Sequence, residues 1–151
     1  MITGTSPSKI VANSIQQVWL DNHNITMIQA PGGISGEMRR LWDHMVAKTV
    51  QEWPDGKPIL MIQDLSCPEA LTKHLARASQ LSHSMKAGQV AYSAIVIGKG
   101  TAKRILSRVT RQSHEIGSTY HERVFESPEA AYAWLQQILL KEVLPSVAVA
   151  S

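Results

Sequence analysis

A chain of 151 residues with 44% apolar content is sized for one packed core and gives no support to a second. Its formal charge of +3 comes from Lys and Arg scattered along the whole length, with no basic run of the kind that grips a phosphate backbone, so no nucleic-acid partner is expected. The single cysteine, Cys67, excludes an internal disulfide and fits a reducing compartment, and no apolar run approaches the ~20 residues of a membrane helix; a cytoplasmic protein without stable membrane insertion is expected.

Residues 1–13 are rich in small and polar types and read as a mobile lead-in to a domain over 14–144, with 145–151 as a similar tail. The domain opens with two strand-like runs, Ile15–Leu20 and Ile25–Ala30, around Asp21-Asn-His-Asn24, whose side chains suit a hairpin turn. Pro31-Gly-Gly33 ends the second run. Ser35 is placed to cap a helix in which Met38, Leu41, Trp42, Met45, Val46 and Val50 recur at helical spacing until Trp53-Pro-Asp-Gly56 stops it. Pro58–Gln63 is the next strand, and Asp64-Leu-Ser66 leads into a helix over about Pro68–Met85, with Leu71, Leu75, Ala78 and Leu81 on one face. Tyr92–Ile97 is apolar almost throughout, as a strand buried on both faces should be. Gly98-Lys-Gly100 then turns into a helix holding Ala102, Ile105, Leu106 and Val109.

The last unit is a strand ending at Phe125 and a helix opened by Ser127 as cap, Pro128 where a missing N–H costs nothing, and Glu129 against the positive helix end. Ala130 to Leu135 supplies a broad apolar stripe, and Phe125 and Trp134 are expected in the core. Trp19, Trp42 and Trp53 are likewise expected to pack in the core or at a sheet edge, the alternative being a surface for a partner. Strands alternating with helices of this length require crossovers, which favours a mixed, mostly parallel α/β sheet with the hairpin as its antiparallel edge.

The ending Arg123-Val-Phe-Glu-Ser-Pro-Glu-Ala-Ala-Tyr-Ala-Trp-Leu135, preceded by these alternating elements, resembles the SpoIIAA-like branch of the STAS domains, relatives of bacterial anti-sigma-factor antagonists. The likeness covers roughly residues 14 to 140. It implies a STAS/SpoIIAA-like fold with helices mainly on one side of the sheet, and a regulatory, signalling role exercised by binding protein. In typical members an Asp-Leu-Ser segment is followed by a phosphorylatable serine, a second hydroxyl residue and a glycine. On that pattern Glu69 takes the acidic position and Ala70 that of the acceptor, with Leu71 and Thr72 after it. Acceptor and glycine are missing, so the usual phospho-switch is not expected.

Other candidates for chemistry each have a structural counterpart. Ser66 and Glu69 have the spacing of a capping box, and Cys67 gains reactivity only if the helix start lowers its pKa, with no His or second Cys placed beside it. Gly98-Lys-Gly-Thr101 offers amides to an anion at a helix start but lacks phosphate-loop spacing, and Thr101 serves equally as a cap. Gly32 and Gly33 permit close backbone approach or simply turn the chain. The six histidines share no metal-ligand spacing, and no Ser, His and carboxylate set assembles, so no cofactor, metal or catalytic residue is expected. His121-Glu-Arg123 reads as the alternation of an exposed strand. Lys99, Lys103, Arg104, Arg108 and Arg111 give the third helix a basic face, either solvated or turned toward an acidic surface.

Parallel units send their strand-to-helix joints to one sheet edge, where ligands gather in such folds. Gly32, Gly33, Ser35, Ser66, Cys67, Glu69, Ala70, Gly98, Gly100 and Thr101 are therefore expected to form a binding rim. Three functions fit. The first is a non-enzymatic interaction module whose partner is another protein or a second copy of the chain. The second is a carrier of a lipid or other small apolar ligand, lined by the Met-rich first helix, with an anionic ligand also within reach of the helix starts. The third is a small enzyme using Cys67 or the helix-start loops.

Overall fold

The computed structural model describes residues 9–11, 15–30, 36–65, 80–97 and 119–142. Six strands form one sheet whose spatial order follows the chain: β1 (Lys9–Val11), β2 (Ile15–Leu20), β3 (Ile25–Gln29), β4 (Ile59–Asp64), β5 (Ala91–Val96) and β6 (Tyr120–Phe125). The first three run antiparallel and β3 to β6 run parallel, so the sheet is the mixed, mostly parallel one that the alternation predicts. Three helices are described, α1 (Gly36–Glu52), α2 (Gln80–Ser84) and α3 (Pro128–Glu142), and none is long and apolar enough to cross a membrane.

One boundary moves. Lys9–Val11, inside the segment expected to precede the domain, pairs with β2 through Lys9 opposite Gln17 and Val11 opposite Ile15. Ile10 and Val11 are β-branched, and the neighbouring hairpin strand offers them an unpaired ladder.

The hairpin turn has a specific cause. Asp21, Asn22 and His23 all sit at positive φ, at 51°, 55° and 66°. Asn, Asp and His are the non-glycine types that best tolerate this region, and Asn24 closes the turn by donating to Asp21 O from both its backbone N–H and its side-chain amide, at 3.2 and 2.7 Å. At the end of α1, Gly56 adopts φ +81°, a conformation that only glycine takes without strain, and Lys57 N–H returns to Pro54 O at 3.4 Å.

Both faces of the sheet are covered. Trp42, Val46, Val50 and Trp53 of α1 and its exit, with Leu81 of α2, pack on Ile15, Ile28, Ile59, Met61, Ile95 and Val124. On the opposite face Ala131 and Leu135 of α3 pack on Leu20, Ile25, Met27, Leu60, Ile62, Ala94 and Val96. Residues Ile59–Gln63 and Ser93–Ile97 are consequently buried without a break, the pattern of strands with helices on both sides. Among the described helices, expected mainly on one side, α1 and α2 share one face and the closing helix covers the other.

The start of α3 is built as its residues dictate. Ser127 Oγ accepts from Ala130 N–H at 3.2 Å, and Ser127 O accepts the first helical bond from Ala131 N–H at 3.2 Å. Phe125 and Trp134, expected in the core, are only half-buried. They flank it instead, their rings 5.5 Å apart, with Trp134 edge-on to Tyr92 at 6.1 Å. Ala131 and Leu135 take the deep positions because the axis of α3 lies over β4 to β6, which puts the larger rings at its margin.

Candidate ligand groove between the hairpin and the first helix

The parallel register sets Gln29 beside Asp64 and Asp64 beside Val96, so the strand ends that feed the predicted rim stand in one row. The rim residues themselves, Gly32, Gly33, Ser35, Ser66, Cys67, Glu69, Ala70, Gly98, Gly100 and Thr101, lie outside the described residues, as does the basic helix face from Lys99 to Arg111.

A concavity among the described residues lies elsewhere. It holds about 540 Å³ between β2 and α1. Two stripes of α1, one residue out of phase, account for it. Trp42, Val46 and Val50 face the core, while Leu41, Met45 and Thr49 follow the same four-residue step on the neighbouring line. The second stripe overhangs β2, where alternate residues Gln17 and Trp19 face it. Leu41 and Met45 are left half-buried as one wall, and Trp19, Trp53 and Pro54 form the other.

The aromatic wall is a ring series. Trp19 lies 5.7 Å from Trp53 and 5.4 Å from His23, tilted by 32° and 30°. Trp53 is anchored by donating its indole N–H to Pro58 O at 3.0 Å, and His23 is delivered by the positive-φ turn. His44, Lys48 and Glu52, one helical turn apart on α1, form an exposed rim of mixed charge. At the floor, Gln17 Nε2 donates to Thr26 Oγ1 at 3.0 Å and to Thr49 Oγ1 at 2.9 Å, joining strand to helix. Most of the lining is apolar, with a few polar atoms at fixed places, which is the composition of small-molecule pockets.

A second polar arrangement runs under the same helical layer. Trp42 Nε1 donates to Gln63 Oε1 at 3.1 Å, Gln63 Nε2 to Ser93 Oγ at 3.0 Å, and Tyr120 O–H to Glu122 Oε1 at 2.7 Å. Burial, reinforced by the Glu122 charge and hydrogen bond, pushes the Tyr120 phenol far above its ordinary range. Burial also pushes the Glu122 carboxyl up, against a smaller opposite effect of the Tyr120 hydrogen bond. Glu122 is therefore not part of an exposed alternation. The same holds for His121, which stacks on Tyr92 at 4.7 Å, while Arg123 is exposed and lies 5.4 Å over Phe125. Trp42, Gln63, Ser93, Tyr120 and Glu122 thus pair with one another beneath the helical layer.

Among the described residues no group of three His, Cys, Asp or Glu side chains converges as a metal site would require. Gln17, Trp19, Thr49 and Trp53 were not legible as a site from sequence. The available signal was that α1 carries two adjacent apolar lines, Trp42, Val46 and Val50 beside Leu41 and Met45. No family model, curated protein or solved structure matches the chain.

Proposed function

We propose that this chain is a non-catalytic binding module that carries a small, mostly apolar molecule in the groove between β2 and α1. The observation behind this reading is the groove itself: about 540 Å³, walled by Trp19, Trp53, Leu41 and Met45. That volume lies within the roughly 300–1,000 Å³ of ligand pockets, and methionine and tilted indoles adapt to flat or irregular apolar bodies. A regulatory role through a protein partner, as the STAS resemblance implies, is the second reading. Its support is the plan of the sheet, an antiparallel hairpin followed by parallel strands.

Titration with 2-methoxynaphthalene followed by ¹H–¹⁵N spectra tests the groove. The indole signals of Trp19 and Trp53 should shift, while that of Trp42, 2% exposed and bonded to Gln63, should not. Met45→Trp, which fills the groove from α1, should abolish the shifts. Shifts spread equally to Trp134 on the far face, or none at any indole, would sink this reading.

A further inference from the structure

We infer that the groove selects, among apolar ligands, those that carry a hydrogen-bond donor, a hydroxyl or ring N–H, presented to Gln17 Oε1. This rests on the groove being the binding site and specifies what it takes.

The inference follows from counting hydrogens at the floor. Thr49 Oγ1 donates its one hydrogen to Met45 O at 2.7 Å, and Thr26 Oγ1 donates its one hydrogen to Val18 O at 3.2 Å. Each hydroxyl can then only accept from Gln17. The side-chain amide has one branch with two hydrogens and one with none, so the nitrogen must face the two threonines, at 3.0 and 2.9 Å. Both amide hydrogens are thereby committed. The choice between the two amide orientations, often ambiguous, is decided here by the two backbone carbonyls.

What is left is the amide oxygen. Among the described residues Gln17 Oε1 accepts no hydrogen bond, and it is not among the polar atoms shut away from solvent. It belongs to a residue that lines the groove. Among the described residues the floor therefore offers an acceptor and no free donor. An occupant bringing a carboxylate or carbonyl to this point would set oxygen against oxygen, whereas one bringing O–H or N–H would complete the site. An apolar occupant with no polar group would displace water from Oε1 and leave it unpaired.

Three probes of one ring system separate the possibilities: 2-naphthol, which has the donor, 2-methoxynaphthalene, which keeps the oxygen without its hydrogen, and naphthalene, which has neither. By calorimetric titration 2-naphthol should bind about fivefold to tenfold more tightly than the other two, the factor expected for one neutral hydrogen bond. In Gln17→Met the three should fall within about twofold of one another, with 2-methoxynaphthalene still bound. The ¹³C signal of the Gln17 side-chain carbonyl should move with 2-naphthol and stay in place with 2-methoxynaphthalene, which decides the matter even if Gln17→Met does not fold. Equal affinities in the unaltered protein, a preference that survives Gln17→Met, or an unmoved carbonyl would overturn the donor requirement and leave the groove reading standing. Failure of all three probes to bind would overturn both.

Discussion

Tyr132 of α3 donates its phenolic hydrogen to Oδ1 of Asp21, 111 residues earlier in the chain, and Gln136 Nε2 reaches Oδ2 of the same carboxylate at 3.4 Å. The first residue of the positive-φ turn is thus held from the closing helix, and the third, His23, lies against Trp19 in the groove. A helix on one face of the sheet in this way supports a wall of the site on the other.

Tyr132→Phe keeps the ring and removes this tie. We predict a loss of about 1 kcal/mol in urea melts at pH 7, at the lower end for a bond to a charged acceptor because the pair is partly solvated. The Tyr132 phenol is pushed up to about 12, first by burial and then by the Asp21 hydrogen bond and charge. A raised folded pKa contributes stability that is whole below the unfolded value of about 10 and is lost as pH climbs through the folded one. The difference between the two proteins should therefore hold to about pH 10 and shrink on approach to pH 12. A constant difference across that window would show that the hydroxyl is not the group responsible.

Glu122→Gln should stabilise the protein at neutral pH. Because burial raises the folded pKa, the native state holds this proton at pH values where the unfolded chain has released it, and stability falls as pH rises through that interval. The amide preserves an acceptor for Tyr120 and does not ionise. Thermal melts at pH 4 and pH 7 decide the point: the variant should gain over the parent at pH 7 and gain less at pH 4. An unchanged or lowered midpoint at pH 7 contradicts it.

Depth of burial should separate two tryptophans. Trp42→Ala, at a site 2% exposed, is predicted to cost about 3–5 kcal/mol, as for other fully buried large aromatics. Trp134→Ala, half-buried beside Phe125 and Tyr92, should cost clearly less, about 1–3 kcal/mol. Equal losses in denaturant titrations would mean that α3 sits deeper than its packing indicates.

The turn supplies a test that involves no contact at all. Asn22 is exposed at φ 55°, so Asn22→Val should cost about 1–2 kcal/mol from backbone conformation alone, and Asn22→Gly should be neutral or slightly stabilising. Similar melting points for the two variants would argue against the left-handed turn.

These contrasts also show where the sequence was readable. The hairpin, the span of α1 and the Ser127 cap were legible because each rests on signals a few residues apart: turn formers between two apolar runs, a four-residue repeat ended by Pro and Gly, a serine before a proline. The depth of Trp134 was not, since periodicity tells which way a residue faces and not where the helix axis lies over the sheet. The burial of Glu122 depends on Tyr120 two residues before it and on Ser93 opposite it in β5. The groove needed residues 17 to 23 and 41 to 54 to be brought together, a distance no local pattern spans.

The order of the strands carries a consequence for biosynthesis. Each strand lies beside its neighbour in the chain, so the sheet can be extended one strand at a time as the polypeptide leaves the ribosome, without waiting for a distant partner. The helical layer of α1 and α2 arrives within the same sequence of events. Among the described residues the opposite face is closed in a different order. Leu20, Ile25 and Met27 are made early, Leu60, Ile62, Ala94 and Val96 follow, and their cover, Ala131 and Leu135, belongs to the last element described. Among the described residues, that widening apolar surface gains its helical cover only when α3 emerges.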